Sequence, residues 1–454
     1  MTLPKKLARK LRSRLGAGAV LEGAADRYVH SFDATATPLL ADAVVIPSNP
    51  EELAWACETL WGAGVPTTPR GAGTGYAGGA VPARGGAVVA CDRLKAVRGP
   101  EGNVVEVEPG VVGDDLSRYV KNVGKFYPVD PASAEASTVG GHVATNAGGP
   151  RALKYGVTRD YVTAVEVISP ARGREVYYHG PDKPDILGLL VGSEGTLAVF
   201  LKIWLRVLAA PAASAAAVAT FDDAETAAEV AGGTLRAGVL PAKLEFLDRR
   251  CIACVNAKEP GTLAEGAAAA LLFEFDGSSA AVAQELGVAA AIAAARGARK
   301  VETAADAKAA ERLWRARRGI APALGMLAPH KMNEDVCVPP SKVPPLLEFI
   351  AELERTYGVP VPTFGHIGDG NLHVNFMYDR RVAGQRERVA EAVRRLMARV
   401  VELGGTITGE HGVGLTKAPF LALEQSAAEF ACARRVKSFF DPSGLLNPAK
   451  VYPE

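Results

Sequence analysis

An α+β protein with at least two domains is the fold class that this sequence predicts. The chain has 454 residues, more than one hydrophobic core usually supports. Its apolar content of 48% and charged content of 22% are those of ordinary globular proteins. Strand and helix signals alternate along the whole chain, at short spacing in the first half and at longer spacing in the second. These observations predict a mixed fold whose second half contains a largely antiparallel sheet.

The first half begins with a basic helix in which Lys and Arg alternate with Leu3, Leu7, Leu11 and Leu15. We interpret this segment as a solvated surface helix; docking to a membrane surface or to a partner is the alternative. A buried strand is predicted at 44–47. Asn49 as N-cap, followed by Pro50, then begins a helix that ends near Gly62. The remaining elements predicted in this half are strands at 87–90, 104–107, 162–168 and 197–201 and a helix at 113–123.

A linker of small residues at 208–214 marks the first domain boundary. Beyond it, strands are predicted at 215–221, 242–247, 270–275, 299–303, 330–338, 361–365 and 372–377. Helices are predicted at 223–236, 278–295, 305–320, 342–357, 381–403 and 418–437. We therefore divide the chain into a helical segment (1–39), a first domain (40–208), a second domain (209–404) and a turn-rich segment (405–454) that we expect to pack back on the first domain.

Composition and charge exclude several classes of protein. The net charge of +1 gives no overall attraction to nucleic acid, so no nucleic-acid partner is expected. No apolar stretch is long enough to span a bilayer, and the N-terminus has no secretory signal. Six cysteines in so long a chain form no disulfide framework. We expect a cytoplasmic protein, in which Cys251 and Cys254 pack within a helix instead of binding zinc.

Residues 69–79 form a loop with five glycines, which we call the glycine loop. Glycine permits positive φ and lacks Cβ, so successive N–H groups can converge on a phosphate. Gly73, Gly75 and Gly78 match the dinucleotide fingerprint formally, but the glycines and proline that follow prevent a helix from starting there. A turn that binds no ligand is the alternative. Three further loops of small residues, at 138–149, 154–160 and 192–196, favour a long ligand such as FAD.

Three of the seven histidines lie in two short glycine-flanked segments near the C-terminus. His366 and His373 flank the turn 368–371, which predicts a hairpin with both imidazoles near its tip. On the second arm, His373 and Asn375 share a face. Glu410 and His411 lie on a separate turn. Such a set can hold a divalent metal and still leave a base available. The alternative is turn histidines that bond to backbone carbonyls.

These segments, together with Leu446-Asn447-Pro448 and the glycine-rich loops, resemble the FAD-linked D-2-hydroxy-acid dehydrogenases. This branch of the vanillyl-alcohol oxidase/p-cresol methylhydroxylase superfamily includes D-lactate dehydrogenase, the flavin subunit of glycolate oxidase and D-2-hydroxyglutarate dehydrogenase. The resemblance covers residues 40–454. It implies a two-part FAD-binding domain of the p-cresol methylhydroxylase type, at 40–208 with 405–454, and a substrate (cap) domain with a metal site at 209–404.

The resemblance also implies which residues bind FAD. Those expected at the pyrophosphate are Arg70, Gly71, Ala72, Gly73, Thr74, Gly75, Gly78 and Gly79. Those expected at the flavin and its phosphates are Pro131, Ser133, Thr138, Gly140, Gly141, Thr145, Gly148 and Gly149. Glu194 and Gly195 are expected near the adenosine half and Asn447 near the isoalloxazine. The glycine loop contains no histidine, so noncovalent FAD is expected.

The ligands of the implied metal are His366, His373 and Glu410. This set, with open positions, suits zinc, manganese or iron. His411 directly follows Glu410, so we interpret it as the general base for the substrate hydroxyl, with a packing role as the alternative. Arg317 matches the family's carboxylate-binding arginine; Arg315 and Arg318 are rivals, and a solvated helix face is the alternative. Lys331 is expected to add a second cation, and Asn375 is included in the catalytic set.

The expected reaction is oxidation of a small D-2-hydroxy acid to the 2-oxo acid, with electrons passed to a quinone, a cytochrome or an iron–sulfur subunit. A peripheral position at the inner face of the membrane and a homodimer are left open. Three rival functions remain at this stage. They are a non-redox flavin-adduct enzyme like alkyl-dihydroxyacetone-phosphate synthase, a metal hydrolase with a decayed nucleotide site, and an accessory flavoprotein subunit that is inactive alone.

Overall fold

A computed structural model describes residues 2–35, 37–180 and 184–452. The helices are α1 Lys5–Leu15, α2 Ala24–Val29, α3 Pro50–Trp61, α4 Gly113–Lys121, α5 Val139–Thr145, α6 Ala152–Tyr155, α7 Ile186–Leu190, α8 Ala224–Arg236, α9 Arg249–Lys258, α10 Ser279–Ala295, α11 Ala307–Arg318, α12 Ile320–Ala323, α13 Val343–Tyr357, α14 Gln385–Glu402 and α15 Ala427–Phe440. The strands are β1 Val20–Leu21, β2 Ala43–Val45, β3 Thr67–Arg70, β4 Ala87–Ala90, β5 Val97–Glu101, β6 Val104–Val107, β7 Lys125–Phe126, β8 Val162–Ser169, β9 Gly173–Tyr178, β10 Val199–Arg206, β11 Leu208–Ala209, β12 Ala213–Phe221, β13 Lys243–Asp248, β14 Ala269–Gly277, β15 Lys300–Thr303, β16 His330–Cys337, β17 Thr363–His366 and β18 Asn371–Tyr378.

The chain divides into two compact units. Unit 1 contains Met1–Gly148, Val157–Ala210 and Glu410–Glu454, and unit 2 contains Gly149–Gly156 and Pro211–Gly409. The α+β fold class is confirmed, while the boundaries of the four-part division remain predictions. None of the helices in the described ranges has both the length and the apolar character needed to cross a membrane.

Unit 1 contains a small mixed sheet in the order β1-β2-β4-β3, whose last three strands are parallel. Its central strands are completely apolar and fully buried, as a sheet covered on both faces requires. Asn49 caps α3, since its side chain accepts a hydrogen bond of 2.8 Å from the Glu52 amide, as predicted. The apolar face of α1 packs into the same core through Leu7, Leu11 and Leu15.

The second sheet of unit 1 is antiparallel, in the order β5-β6-β10-β8-β9. Alternate residues of β6, β8 and β10 enter a separate apolar core, which Phe440 at the end of α15 also joins. The C-terminal segment reaches the small sheet as well. Leu446 is fully buried there and forms an isolated parallel bridge with Thr67 of β3.

Unit 2 is built on a seven-stranded sheet in the order β15-β12-β14-β13-β17-β18-β16. Every neighbouring pair is antiparallel, so the predicted sheet type is confirmed. One face of this sheet packs on α9, α11 and α12, where Cys251 and Cys254 are buried in the apolar core. The predicted helical packing of the two cysteines is therefore confirmed.

The two edges of this sheet differ. The edge strand β15 is four residues long and largely exposed, and the ammonium of Lys300 lies 2.8 Å from the Glu302 carboxylate. At the other edge, β16 is extended by a bridge between Cys337 and Thr406, whose backbone groups exchange hydrogen bonds of 3.2 and 2.8 Å. The segment that follows Thr406 leads to Gly409, the last residue of unit 2.

Three predictions of local structure are wrong. The expected small-residue loop at 154–160 begins within α6 and contains a 3-10 turn at Thr158–Asp160. The predicted helix at 418–437 begins only at Ala427. Ala418–Leu423 forms a 3-10 turn instead, and Ser426 and Glu429 make a capping box that starts α15. Within the expected small-residue loop at 138–149, Val139–Thr145 is helical, because Thr138 caps α5.

Candidate active site

The glycine loop begins within β3, which ends at Arg70, and residues 71–86 contain no helix. The sequence predicted that no helix starts at the glycine loop, unlike at a Rossmann site, and this prediction is confirmed. The side chain of Arg70, at the end of β3, is buried and donates a hydrogen bond of 2.8 Å to the Phe32 carbonyl. Gly73 has a φ of +70°, and a Cβ there would lie 2.1 Å from Nη2 of Arg70. The arginine thus occupies space that only glycine leaves open and supports the loop.

The glycine loop contacts the start of α5. A Cβ on Gly71 would lie 2.2 Å from Oγ1 of Thr138, the hydroxyl that accepts a hydrogen bond of 3.3 Å from the Gly141 amide. Gly140 is equally confined, because a Cβ there would lie 2.6 Å from the Pro109 side chain. The Gly71 backbone thus lies directly against the Thr138 side chain, so the glycine loop and the start of α5 are neighbours. Both segments offer main-chain N–H groups of the kind that bind phosphates.

The other residues expected at FAD occupy nearby turns and helix ends. Pro131 and Ser133 belong to a turn. The Pro131 carbonyl accepts a hydrogen bond from the Ala134 amide, and the Ser133 carbonyl accepts from the amides of Ala136 and Ser137. Thr145 ends α5, and its hydroxyl donates to the Gly141 carbonyl at 3.0 Å. Gly148 and Gly149 are both buried, and the chain passes from unit 1 to unit 2 at the peptide bond that joins them. In the glycine loop itself, Ala72 and Gly75 are exposed, whereas Thr74 and Gly79 are half-buried.

Glu194 and Asn447 connect several segments of unit 1. The carboxylate of buried Glu194 accepts hydrogen bonds from the amides of Val413 and Gly414 at 2.7 and 2.8 Å. Burial raises the pKa of Glu194, while these two bonds oppose the rise. Asn447 donates from Nδ2 to the Glu194 carbonyl at 2.8 Å and to the Gly79 carbonyl at 3.0 Å. The glycine loop, the 192–196 turn and the C-terminal segment are therefore joined through two side chains.

His411 lies in the loop that Glu194 holds. Its ring stacks on Tyr76 of the glycine loop, with centroids 5.0 Å apart and planes inclined by 25°. The same two segments are linked through the backbone, since the Leu415 amide donates to the Ala77 carbonyl at 2.7 Å. Glu410 is the first residue of this part of unit 1. The expected base and the glycine loop are thus neighbours.

In unit 2 the predicted hairpin is present, with β17 and β18 as its arms. His366 pairs with Asn371 across the hairpin, and Phe364 pairs with His373. The two imidazoles are nearly perpendicular, with ring centroids 5.3 Å apart. Each offers a ring nitrogen, and these nitrogens lie within 4.8 Å of one another. Both side chains are buried. The two imidazoles are therefore neighbours in the structure, as the hairpin predicted from the sequence implied.

A carboxylate from β16 lies beside His373. Asp335 pairs with His373 across the sheet, and its Oδ1 is 3.7 Å from Nδ1 of the imidazole. The same carboxylate accepts hydrogen bonds from the Asn371 amide group at 2.6 Å and from the Gly409 amide at 2.9 Å. Asp335 therefore fixes the chain at the residue immediately before Glu410.

Glu245 of β13 is a site residue that the sequence reasoning missed. It is fully buried, its Oε2 accepts a hydrogen bond of 2.6 Å from Nε of Arg317, and its Oε1 bonds to Nδ1 of His366. Burial disfavours the carboxylate, but the charges of Arg317 and His366 and their hydrogen bonds outweigh this and lower the pKa of Glu245 to about 2. A single carboxylate in the apolar strand Leu244-Glu245-Phe246-Leu247 was the available signal.

Among the three candidate arginines, only Arg317 is buried. Its guanidinium carbon lies 4.6 Å from the ring centroid of Phe364. Arg315 and Arg318 are more exposed and pair with Glu259 and Glu311, so the solvated-face alternative is wrong for Arg317. The structure gives Arg317 a carboxylate partner of its own, Glu245, which the sequence did not predict.

Asn375 lies on β18, the second arm of the hairpin, and Lys331 lies on β16, the edge strand that pairs with β18. Lys331 pairs with Met377 across the sheet, and burial lowers the pKa of its ammonium. Asn375 is fully buried; its Oδ1 accepts a hydrogen bond of 2.7 Å from Asn333, and its Nδ2 donates to the His373 carbonyl at 2.9 Å. Asn375 therefore stabilises the strand that carries His373.

Imidazole nitrogens and carboxylate oxygens within a few ångströms of one another are suitable donors for zinc, manganese or iron. The bond between His366 and Glu245 supports this assignment, because a metal-binding imidazole usually donates its other N–H to a carboxylate. In unit 1, Gly71 lets the glycine loop pack against Thr138 at the start of α5. The main-chain N–H groups of two glycine-rich segments are thereby neighbours, which suits the phosphates of a flavin dinucleotide. The residues present thus fit both groups.

Comparisons with known proteins agree with this geometry. The sequence profile described as FAD binding domain matches residues 41–177, and the profile described as FAD linked oxidases, C-terminal domain, matches residues 210–451. The glycolate oxidase subunit GlcD of Bacillus subtilis is 36% identical over 94% of this chain and 93% of its own length. A D-lactate dehydrogenase of Archaeoglobus fulgidus is 35% identical over 93% of this chain and 95% of its own length.

Among solved structures, p-cresol methylhydroxylase with bound substrate superimposes with a TM-score of 0.80. The match covers 99% of this chain and 96% of that one at 16% identity, which shows the shared fold alone. The predicted superfamily and its fold type are confirmed. From the two matched profiles and the similarity to GlcD along nearly the whole chain, we conclude that this protein belongs to the FAD-linked oxidases and is an FAD-linked oxidoreductase.

Proposed function

We propose that this protein is an FAD-dependent dehydrogenase that oxidises a small D-2-hydroxy acid to the corresponding 2-oxo acid. The observation that carries the proposal is the group formed by two buried imidazoles, a buried carboxylate and a buried guanidinium on adjacent strands and helix α11. Such a group suits a substrate with a carboxylate next to a hydroxyl. The relatives named for glycolate and D-lactate, both 2-hydroxy acids, support this substrate class.

The proposed metal ligands are His366, His373 and Glu410. Glu410 follows Gly409 directly, and the Gly409 amide is fixed on Asp335, the carboxylate beside His373. This chain connection supports the choice of Glu410 as the third ligand. A divalent ion bound there would supply Lewis acidity that lowers the pKa of the substrate hydroxyl.

The residues proposed to hold FAD are those of the glycine loop, the 131–149 segment, Glu194, Gly195 and Asn447. Their backbone N–H groups suit the phosphates, because Gly71, Gly73 and Gly140 allow close approach. The absence of a histidine in the glycine loop supports noncovalent binding. When bound, FAD supplies a two-electron acceptor for the hydride released from the substrate carbon.

The remaining steps belong to protein side chains. Arg317 and Lys331 are proposed to bind the substrate carboxylate, since a guanidinium can donate two parallel hydrogen bonds to it. His411 is proposed to accept the proton of the substrate hydroxyl. Its stacking on Tyr76 supports this role, because the stack holds the imidazole at the glycine loop. Asn375 is proposed to keep His373 in position.

Electrons are proposed to leave the protein through a carrier, which could be a quinone, a cytochrome or an iron–sulfur subunit. The relative named as a subunit of glycolate oxidase supports a partner protein. We keep a cytoplasmic location in this proposal, with peripheral contact at the inner membrane face and a homodimer as the alternatives to be tested.

The proposal is tested by mixing the purified yellow protein anaerobically with D- and L-2-hydroxy acids. We expect D-lactate, glycolate or D-2-hydroxyglutarate to remove the visible flavin absorption, and L-lactate to leave it unchanged. A flavin-adduct enzyme would keep its oxidised spectrum with every acid. A metal hydrolase would be colourless. An accessory subunit would hold FAD without turning over any artificial acceptor until a partner was added.

The metal centre is tested by the variant His373→Ala. We expect this variant to retain FAD but to lose reduction by the D-acid, because one ligand of the proposed ion is missing. His179→Ala is the matched control, since that exposed histidine lies outside the site. Reduction of His373→Ala at the control's rate would show that the metal has no part in the reaction.

A further inference from the structure

We propose that Glu245 is a positioning residue that orients a metal ligand, His366, and the substrate-binding arginine, Arg317, at the same time. This inference rests on the proposed function, because it assigns a task to a residue that would touch neither substrate nor metal. Its basis is that the two carboxylate oxygens of Glu245 bind different partners. Oε1 bonds to Nδ1 of His366, and Oε2 bonds to Nε and Nη2 of Arg317.

The position of Glu245 makes this carboxylate rigid. The side chain is fully buried on β13, whose register with β14 is continuous from Lys243 to Asp248. Water cannot replace either partner, so the carboxylate has few alternative arrangements. An ionised acid that is desolvated in this way needs the hydrogen bonds of Arg317 and His366, and the buried guanidinium in turn needs the carboxylate. The three groups therefore form a unit whose geometry Glu245 determines.

For His366, the bond to Glu245 fixes the ring orientation and the tautomer. With Nδ1 as the donor to Oε1, the imidazole presents Nε2 as the ligand atom. The hairpin backbone alone does not achieve this, because the imidazole can rotate about its side-chain bonds. In this orientation, with His366 bonded to Glu245, the ligand nitrogens of His366 and His373 lie within 4.8 Å of one another.

For Arg317, Glu245 determines which edge of the guanidinium is available. The Nε–Nη2 edge is used by Oε2, and the Phe364 ring lies 4.6 Å from the guanidinium carbon. The donors directed away from Glu245 are those of Nη1 and the second N–H of Nη2. These are the donors that we propose for the substrate carboxylate, and they are pre-oriented because the other edge is fixed.

The chain offers a matched control in Glu274. This residue is also a buried glutamate of the same sheet, on the neighbouring strand β14, and it pairs with Lys243 at 3.2 Å and Arg151 at 3.5 Å. Lys243 lies opposite Glu274 in the register and two residues before Glu245. Loss of the Glu274 charge should therefore disturb a buried ion pair of the same kind without changing either His366 or Arg317.

The first measurement is the affinity for Mn²⁺ or Zn²⁺ of metal-free holoprotein, determined by calorimetry in the presence of a competing chelator. We expect Glu245→Gln to weaken metal binding by about 10- to 100-fold, the usual effect of removing an outer partner of a metal ligand. Glu274→Gln should bind the metal within about threefold of wild type, a change that falls within the usual effect of a remote substitution. Glu245→Asp keeps the charge but shortens the side chain, so it should also weaken binding.

The second measurement is the rate of D-lactate oxidation with an artificial acceptor. We expect Glu245→Gln to raise KM by about tenfold, equivalent to one charge-assisted hydrogen bond. Excess metal should restore part of kcat in this variant but leave KM high. A merely structural role would not produce this separation, because loss of folded protein lowers the apparent kcat and leaves KM unchanged.

Three outcomes overturn the inference. Glu245→Gln or Glu245→Asp could bind the ion like wild type, or Glu274→Gln could lose affinity equally, which would indicate general damage to the sheet. In both cases His366→Ala would still abolish metal binding and the proposed metal centre would survive. Wild-type protein that binds no divalent ion would refute the metal centre and this inference together.

Discussion

His142 is buried in the middle of α5, and its Nε2 lies 2.7 Å from the Ser137 hydroxyl. Burial lowers its pKa from 6.5 to about 4, because the charged imidazolium would lose its water. The unfolded chain therefore binds a proton more readily than the folded protein between these two pH values. The contribution of His142 to stability is complete above pH 6.5 and is lost as the pH falls through this range to about 4.

We predict that His142→Gln reduces the acid sensitivity of the protein. The free energy of unfolding of wild type should fall between pH 6.5 and 4 by at most about 3 kcal/mol through this residue. The variant should lack that part of the slope. Its stability at pH 7 should be lower than that of wild type, because the buried contacts of the imidazole are lost. Denaturant titrations at several pH values test this, with exposed His179→Gln as control. Parallel curves for wild type and His142→Gln would contradict the prediction.

At the level of single residues, the sequence located those functional side chains that are close together in the chain. His366 and His373 flank one turn, so their proximity followed from the hairpin alone. Glu245 could not be found in this way, since it lies 121 residues before His366 and meets it only through the strand order of the sheet. Burial also selected Arg317 among three arginines that the helix sequence leaves equivalent.

The contact between the glycine loop and α5 shows how two elements depend on each other. The Thr138 hydroxyl caps α5, and it also occupies the space next to Gly71. A methyl group on residue 71 would lie 2.2 Å from this oxygen, but 3.4 Å from Cβ of Thr138. The overlap therefore involves the hydroxyl and would disappear if residue 138 were alanine.

We predict that Gly71→Ala destabilises the protein by about 1–3 kcal/mol, as expected for an overpacked site. Thr138→Ala should cost about 1 kcal/mol through the lost cap. The double variant should lose less than the two single variants together, with a coupling of at least about 0.5 kcal/mol, because the overlap is removed. Unfolding curves of the four proteins test this. Additive losses would show that the two elements do not meet at this point.

Secondary structure elements with strong local signals were predicted, and those fixed by tertiary contacts were not. The N-cap Asn49 was sufficient to predict the start of α3. The alternation of polar and apolar residues was sufficient to predict strands of unit 2 such as β18. Helix α5 contains two adjacent glycines, which have low helix propensity, and the Pro109 carbonyl that receives the Gly140 amide is remote in sequence. The start of α15 carried a local signal, Ser426 with Glu429, that the sequence interpretation overlooked.

At the scale of the whole molecule, the C-terminal segment completes a core that the N-terminal residues begin. Leu446 is fully buried with residues of α1, α3 and the small sheet. The Thr67 amide donates to the Leu445 carbonyl and the Asn447 amide to the Thr67 carbonyl, each at 2.7 Å. The core of unit 1 is therefore complete only when residues 445–447 have packed against the small sheet.

We predict that Leu446→Ala lowers the free energy of unfolding by about 2–5 kcal/mol, the cost of a cavity in a closed core. The variant should also release FAD more readily, because Asn447 follows directly. Leu423→Ala is the matched control in the same segment, since that side chain is exposed and should cost less than about 0.5 kcal/mol. Equal stability of the two variants, measured by urea unfolding and by flavin released on dilution, would contradict this account.

The fold class was predicted because alternation of elements and chain length are properties of the sequence alone. The order of the seven strands was not predicted, since neighbours such as β13 and β17 are separated by a long stretch of chain. The same holds for unit 1, which is assembled from three separate stretches. Local patterns specify elements, whereas the pairing of distant elements depends on which apolar faces can be buried together.

The two edges of the unit 2 sheet bear on how this protein behaves when concentrated. An edge strand with open backbone groups is a template on which another molecule can pair and aggregate. Here β15 is short and carries charges of both signs, and β16 is already paired at its end by the strand-like backbone at Thr406. The segment that forms this single bridge continues through Gly409 to Glu410. Resistance to self-association and placement of a proposed metal ligand thus depend on the same short stretch of backbone.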